Sequence, residues 1–509
     1  DGKYLLIKNK IDSLPGDRRI TELFSGPDTI SSSKNEDSLQ FILKHLQKFE
    51  SRFGDPENTE NLLKEFYRSA TPFRISDLKA TELKYEGSPL LKLNPSQAIA
   101  YRYRFSMDDW STTFNNDLLF GGLRTYTGLN PAYPLPRPGI LFKTKLQEVF
   151  ENYTLEFGIR VPTSFIGSEA FLLFNINKFH WDHSIAIYRR ADKQYIPYRQ
   201  TDDLIQVSKT FLLNYVAKYP LDQYRSFRIN NTLRNDHTFL RNSERFVLDS
   251  SGQNIQSLGT RLEFVYDDAL QLGVNLKQGL QLKSFFEINK RFISSLNGGI
   301  NISGLPGWLL IAGIDARYHH PVLKHSVFAN RFYLNSSFGS QRLLNQLGGT
   351  ENWLLFAKYN NEQPSDINQN YSFSQIATEV RGHPIGERKG SSAMLLNSEL
   401  RIPFFQYLLN QNWRNSFFRN LQLVTFFDIG LTWNGFLPKL ADVEKYRYFG
   451  SNPAVTVNVV YSRNPFIAGT GLGLRTSLFG YFVRLDYGWP IIDFKTSKPV
   501  MHISLGLDF

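Results

Sequence analysis

The chain has 509 residues, no cysteine, a formal net charge of +11 and an aromatic content of 15%, with 42 Phe and 25 Tyr. The lack of cysteine excludes a disulfide framework, and no apolar stretch reaches the roughly 18 residues that a membrane-spanning helix needs. A closed barrel is the other way to cross a bilayer, and its strands hide their apolar signal by alternation. The composition therefore favours an all-β membrane protein, with its excess positive charge in solvated loops and the lumen and with no nucleic-acid partner.

Residues 1–95 differ from the rest of the chain. The pattern predicts a strand in Tyr4–Ile11, then helical spacing of apolar residues; these are Leu39, Ile42, Leu43, Leu46, Phe49 and Phe53, followed by Leu62, Leu63 and Phe66. We interpret residues 1–95 as a small α+β periplasmic appendage. No signal peptide precedes Asp1, which indicates a processed or trimmed chain.

Residues 96–138 are predicted to be a linker that leads into the barrel. The linker ends in the proline-rich run PAYPLPRPG, from Pro131 to Gly139, which is typical of a stiff connection. From Gly139 to Phe509 most of the chain alternates with a period of two. Candidate strands, the first near Gly139, one near Tyr371 and the last near Val500, number about sixteen, an even number as single-chain bacterial barrels require. The predicted fold is a 16-stranded antiparallel transmembrane β-barrel over residues 139–509.

The last strand gives the clearest alternation. Its apolar set faces lipid in this interpretation, while the residues between point to the lumen; the apolar set is Met501, Ile503, Leu505, Leu507 and Phe509. Closure would join Gly139–Phe150 to Val500–Phe509. Long stretches around Arg234–Gln256, Gly339–Asn370 and Asn434–Asn464 are predicted to be external loops.

Five segments carry a resemblance to a known family. They are EVRGHPIGERKGSSAMLLNSELRIPFF from Glu379 to Phe405, LGGTENW from Leu347 to Trp353, FFRNLQLVTFFDIGLTWNG from Phe417 to Gly435, GTGLGLRTSLFGYFVRLDYGWP from Gly469 to Pro490, and the terminal SLGLDF. Together they resemble the outer-membrane assembly and translocation superfamily that includes BamA, TamA and the two-partner secretion transporters. The match is dense over the last third of the chain and looser over the rest of the barrel.

The resemblance implies a buried lock. Arg381 and Gly382 match the tip of a loop that folds back into the barrel, and Glu399 and Asp428 match the acids that Arg381 would pair with. Alternation agrees with this, because Met394, Leu396 and Leu400 on one strand, and Leu423, Phe427 and Leu431 on the next, leave both acids on the lumen side. The alternative is that the acids only line a wet pore. His383 stands where the family commonly has an aromatic residue.

The resemblance further implies a function at the cell outer membrane. The seam between first and last strands would open and pair with an incoming strand, so that the barrel assists insertion or translocation of proteins or lipids. Leu505, Leu507 and Phe509 look like the C-terminal signal by which barrels are handed to the assembly machinery. Family members usually carry periplasmic POTRA modules, and residues 1–95 have room for at most one.

Partners predicted from this are outer-membrane lipid, client outer-membrane or exported proteins, and periplasmic or membrane subunits. The alternative function is a structural barrel subunit of a larger complex that recruits partners through its loops and appendage. A third candidate is a passive pore or a barrel-embedded lipid hydrolase, although no Ser and His pair is placed for hydrolysis.

No enzyme signature, cofactor motif or metal spacing is present. His319 and His320 are adjacent and are expected in a loop or interface. The acid pairs Asp202, Asp203 and Asp267, Asp268 are expected to be solvated.

Overall fold

A computed structural model describes residues 5–7, 98–100 and 102–509, apart from gaps at 117–118, 121–122, 127–132, 134, 166, 198–202, 242–251, 296–300, 324, 361–368, 410–414, 439–443, 453–454 and 465. The chain divides into two compact units, Asp1–Arg102 and Tyr103–Phe509. In the first unit Leu5–Ile7, within the predicted strand, pairs antiparallel with Ala98–Ala100. The helices predicted in this unit lie outside the described residues.

The described elements are almost all strands. Two short helices span Phe404–Leu409 and Ser416–Arg419, and no helix among the described residues is long and apolar enough to cross a membrane. The strands are β1 (Leu5–Ile7), β2 (Ala98–Ala100), β3 (Phe105–Asn115), β4 (Arg124–Thr125), β5 (Gly139–Glu148), β6 (Tyr153–Pro162), β7 (Ser168–Ile176), β8 (Asp182–Pro197), β9 (Asp203–Pro220), β10 (Arg225–Arg241), β11 (Gln253–Asp267), β12 (Leu270–Gly273), β13 (Leu276–Ser295), β14 (Asn301–Gly304), β15 (Leu309–Pro321), β16 (Val327–Gly339), β17 (Arg342–Leu347), β18 (Trp353–Leu355), β19 (Tyr371–Thr378), β20 (Arg388–Gly390), β21 (Ser392–Pro403), β22 (Gln422–Trp433), β23 (Glu444–Asn452), β24 (Val455–Arg463), β25 (Phe466–Leu478), β26 (Tyr481–Ile492), β27 (Lys495–Thr496) and β28 (Val500–Leu505).

The large sheet closes into a barrel. Among the described residues it contains 20 strands, and its neighbouring long strands pair antiparallel, from β3 with β5 through to β26 with β28. Four of its members, β12, β14, β18 and β27, are only two to four residues long. They pair with a longer neighbour and add no full-length wall strand.

The two faces of the wall differ as the alternation predicted. Large apolar side chains point outward and remain exposed, among them Phe142, Phe157, Ile187, Phe211, Phe286, Phe427, Leu472 and Tyr487. Inward positions of the same strands carry buried polar and charged groups such as Arg160, Glu287 and Asp486. A closed wall with an apolar aromatic exterior and a charged interior is the form in which strands cross an outer membrane. The barrel is therefore an outer-membrane barrel.

A second sheet accounts for the long connection between β16 and β21. In this inner sheet β17 pairs parallel with β19 and antiparallel with β20, and β19 pairs with β4. Its apolar side chains pack against inward-facing residues of the wall, because Leu343 and Phe373 cluster with Leu309 and Ile311 of β15. This part of the connection thus lies inside the barrel, so the prediction that Gly339–Asn370 is an external loop is wrong for β17.

Three sequence-based assignments are corrected. The barrel begins with β3 at Phe105, inside the predicted linker 96–138, and not at Gly139. The predicted seam strand Gly139–Phe150 contains β5, which is paired on both edges, with β3 and with β6. The strand predicted near Tyr371 belongs to the inner sheet rather than to the wall. All three errors have the same cause. Alternation of apolar and polar residues indicates a half-buried strand, but it does not indicate which strand lies beside it.

Candidate functional site

The register of β21 and β22 sets the acids of the candidate site. Asn397 lies directly opposite Asp428, and Glu399 lies opposite Phe426, two residues along the same face. All four side chains are buried on the inward face, and Glu399 and Asp428 are 0% exposed. The two carboxylates therefore face the same buried space.

Arg381 occupies that space. Its Nε and Nη2 donate to Asp428 Oδ2 and Oδ1, each at 2.8 Å, and its Nη1 donates to Glu399 Oε1 at 2.5 Å. The backbone N–H of Arg381 also donates to Asp428, and the guanidinium lies 3.8 Å from the centroid of the Phe426 ring. A bidentate pair together with a cation–π contact fixes the position and the orientation of the guanidinium. The structure thus brings Arg381, Glu399 and Asp428 together, and we refer to them with Gly382 as the loop lock.

The loop lock depends on a glycine at the loop tip and on two glycines in the wall. Gly382 has φ of +89°, and a Cβ on it would lie 2.9 Å from Pro490 N and from the Trp489 carbonyl carbon. Gly469 of β25 and Gly488 of β26 leave room for the backbone of Arg381 and Gly382, which a Cβ on either glycine would meet. These glycines form a shallow groove for the loop tip. Next to it, His383 is buried, and its Nε2 lies 2.7 Å from the carbonyl oxygen of Ala468.

Gly382→Ala is expected to weaken docking of the loop tip, because the new Cβ meets the backbone of β26 and because the left-handed conformation costs roughly 1–2 kcal/mol for a residue with a side chain. The measurement is the temperature at which the folded form is lost on an unheated-versus-heated gel. Gly480→Ala is the matched control, since Gly480 also has positive φ but nothing lies within 4 Å of its Cβ position. An equal effect of both substitutions would show that the contact with β26 is unimportant.

The lock also reaches the last two wall strands. Gly382 N donates to Nε2 of His502 on β28 at 2.9 Å. Glu379, two residues before Arg381, accepts from Nη1 of Arg484 on β26 at 3.1 Å, and its backbone carbonyl accepts from Asn397. His502 was predicted to face the lumen, but nothing in the sequence pattern connected it or Arg484 to the loop.

The C-terminus is held by a set of residues that we call the C-terminal clasp: Asn275, Arg475, Arg484 and Asp508. Asp508 accepts from Asn275 Nδ2 at 2.8 Å, from Arg475 Nε at 2.9 Å and from Arg484 Nη1 at 3.2 Å. Its backbone N–H donates to Asn275 Oδ1 at 2.9 Å. The turn after β12 therefore fixes the chain end.

Phe509 does not face lipid as the alternation predicted. It is only 9% exposed, its ring lies 5.0 Å from the Arg401 guanidinium, and its carbonyl oxygen accepts from Arg401 Nη2. The reason is that β28 ends at Leu505 and the next residue, Gly506, has φ of +106°, which ends the alternation. Leu507 remains outward and 50% exposed.

The outer edge of β28 has an unusual partner. On one edge β28 pairs with β26, for example Ser504 with Arg484. On the other edge Ser504 pairs with Trp353 and Ile503 pairs with Leu355, both from β18. Side chains join this place to the first wall strand, because Asn116 Nδ2, just after β3, donates to the Trp353 carbonyl oxygen.

Other candidate residues do not form sites. His319 and His320 lie in β15 rather than in a loop, with His319 buried and His320 outward. Asp268 lies in the turn after β11, where the backbone N–H of Leu280 and the Tyr266 hydroxyl hold the pKa of its carboxyl below the ordinary value. Asp202 lies outside the described residues. Within the described part of the chain, no group of three or more potential ligands could hold a metal ion.

No family model and no curated protein matches the chain. Among solved structures, it is similar to BamA from Haemophilus ducreyi lacking POTRA domains 1–3, with 13% identity, a TM-score of 0.43, and coverage of 80% of this chain and 75% of that chain. It is also similar to CdiB from Escherichia coli, with 11% identity, a TM-score of 0.43, and coverage of 80% and 68%. CdiB from Acinetobacter baumannii has 13% identity, a TM-score of 0.40, and coverage of 80% and 66%. Each overlap covers only part of both chains.

Proposed function

We propose that the chain is an outer-membrane barrel of sixteen wall strands that assists the insertion or translocation of proteins. The observation that supports this proposal is the pairing of the second edge of β28. At Ile503 and Ser504 this edge pairs with β18, a strand of only three residues. A strand edge that is covered by only a short segment can accept an incoming strand through backbone hydrogen bonds. A general pore has no need of such an edge.

The loop lock supports this function by holding one side of the edge in place. Arg381 joins β21 and β22 from within, and Gly382 contacts His502 of β28 itself. The C-terminal clasp fixes the end of the same strand through Asp508. With β28 fixed at these points, the part of the seam that can change is the segment beside it, β18 and the end of β3.

The partners in this proposal are client outer-membrane or exported proteins and the surrounding lipid. Periplasmic or membrane subunits would deliver clients, and Leu505, Leu507 and Phe509 would serve as the barrel's own assembly signal. Phe509 would act as part of that signal only before the chain folds, because in the folded chain its ring packs under Arg401.

The function is tested with a photo-crosslinking phenylalanine analogue placed in cells at Met501 of β28. Met501 is 38% exposed, and the matched control is Phe332 of β16, which is 37% exposed on another part of the wall. We expect Met501 to capture newly made barrel proteins transiently, with the crosslinks disappearing during a chase, because clients leave once they are folded. Phe332 should capture none of them.

Two other outcomes would contradict the proposal. Equal capture at both positions would mean random contact within the membrane. Stable capture of one fixed partner, with no client, would favour a structural barrel subunit of a larger complex.

A further inference from the structure

The strand β18 is held on β28 mainly by one side chain. Trp353 is 2% exposed and packs with Ile385 and Val500 in a small apolar cluster. Its ring centroid lies 4.2 Å from that of His502, the same residue that accepts the N–H of Gly382. A buried Trp of this kind is a typical anchor at an interface.

The backbone turns into the left-handed conformation on either side of β18. Asn352 has φ of +57° and Phe356 has φ of +62°, so a left-handed residue stands directly before and directly after the strand. Asn adopts this conformation more readily than most residues, but for a bulky residue such as Phe it costs about 1 kcal/mol or more. Local preference therefore opposes this path of the chain, and the Trp353 pocket together with two pairings on β28 must hold it.

The pocket is also imperfectly filled. The indole Nε1 of Trp353 is buried without a hydrogen-bond partner. A buried donor of this kind costs free energy when it is left unpaired. At the other end of the strand, Leu355 is 48% exposed and makes no comparable anchor.

We propose that β18 is a resident competitor strand, which occupies the edge of β28 until an extended client segment displaces it. The displacing segment must pair with Ile503 and Ser504 and place a large aromatic side chain in the pocket that Trp353 now fills. This inference rests on the proposed function and names how its docking edge is regulated. Because the pocket also contacts His502, the competitor and the loop lock meet at one residue.

The test measures exchange of β18 without any client. The probe is a fluorescent synthetic peptide with the sequence of residues 349–358, added to the purified full chain in detergent and followed by anisotropy. We expect Trp353→Ala to bind this peptide on the order of tenfold or more tightly than the unaltered chain, because truncating a buried Trp typically costs several kcal/mol and tenfold corresponds to about 1.4 kcal/mol. A peptide with alanine in place of its tryptophan should lose this binding.

A second variant keeps Trp353 in place. The chain has no cysteine, so Leu355→Cys with Ile503→Cys, which are register partners, forms a single disulfide that pins β18. The oxidised form should not bind the peptide, and reductant should restore binding. Each single substitution is the control. Binding that is indifferent to the disulfide and to Trp353→Ala would overturn the proposal, provided that the gel assay shows a folded barrel.

The same disulfide separates this inference from the proposed function. If the oxidised form does not bind the peptide but Met501 of the unaltered chain captures no client, β18 is a competitor for an edge that clients do not use, and the proposed function fails. If the peptide exchanges regardless of the disulfide while Met501 still captures clients, the competitor role fails and the function stands.

Discussion

Replacing Arg381 by alanine is expected to release the connection between β16 and β21 from the barrel interior. The substitution leaves Asp428 buried without a cation and removes one of the two cations that contact Glu399, which keeps Arg401. Breaking a buried ion pair in this way costs about 3–5 kcal/mol. That cost is large beside the few kilocalories per mole by which folded states are usually favoured.

Trypsin provides the measurement. Arg388 and Lys389 of β20 are 3% and 2% exposed in the folded chain, so cleavage after them reports release of the inner sheet. Arg381→Lys should give an intermediate result, because an ammonium cannot form the planar bidentate pair. Arg317→Ala is the control, since Arg317 is a more exposed lumen arginine whose partner Asp315 is also bound by Arg331. If β20 remains protected in Arg381→Ala, the lock does not hold the loop.

Asp508→Ala is expected to destabilise the barrel to a similar extent. Arg475 and Arg484 are buried and would each lose a carboxylate, keeping only Asp486 and Glu379 respectively. The loss of a partner from such a network costs about 3–5 kcal/mol, and Asn275 would lose its contact with the carboxylate as well. The expected result is a lower unfolding temperature on the heated gel and reduced recovery of folded barrel from membranes.

Leu485→Ala is the matched control, since this side chain on β26, next to Arg484, is 38% exposed and belongs neither to the C-terminal clasp nor to the assembly signal. Asn275→Ala with Asp508→Ala then forms a double-mutant cycle. The cycle isolates the hydrogen bond that Asn275 Nδ2 donates to the Asp508 carboxylate, for which we expect a coupling of about 0.5–3 kcal/mol. Strictly additive effects would mean that the turn after β12 does not clasp the C-terminus.

The sequence predicted the members of the loop lock but only part of its surroundings. Alternation in β21 and β22 placed Glu399 and Asp428 inside, and the resemblance of the segment around Arg381 supplied the cation. The pairings of Glu379 with Arg484 and of Gly382 with His502 were missed, since their partners lie 105 and 120 residues apart in the chain. No sequence pattern indicated the role of Asn275, because a single Asn in a turn is indistinguishable from any other turn residue.

The same limit explains the errors in the fold. The period of two is a property of one strand and its pleat, so the sequence by itself determined which side chains face lipid and which face the lumen along most of the wall. Pairings between distant segments decide three features: the strand that begins the wall, the position of β19 in the inner sheet, and the pairing of β18 with β28. Those pairings are chosen by closure of the barrel and by burial of charges such as Arg381 and Asp508, and only the tertiary structure decides them.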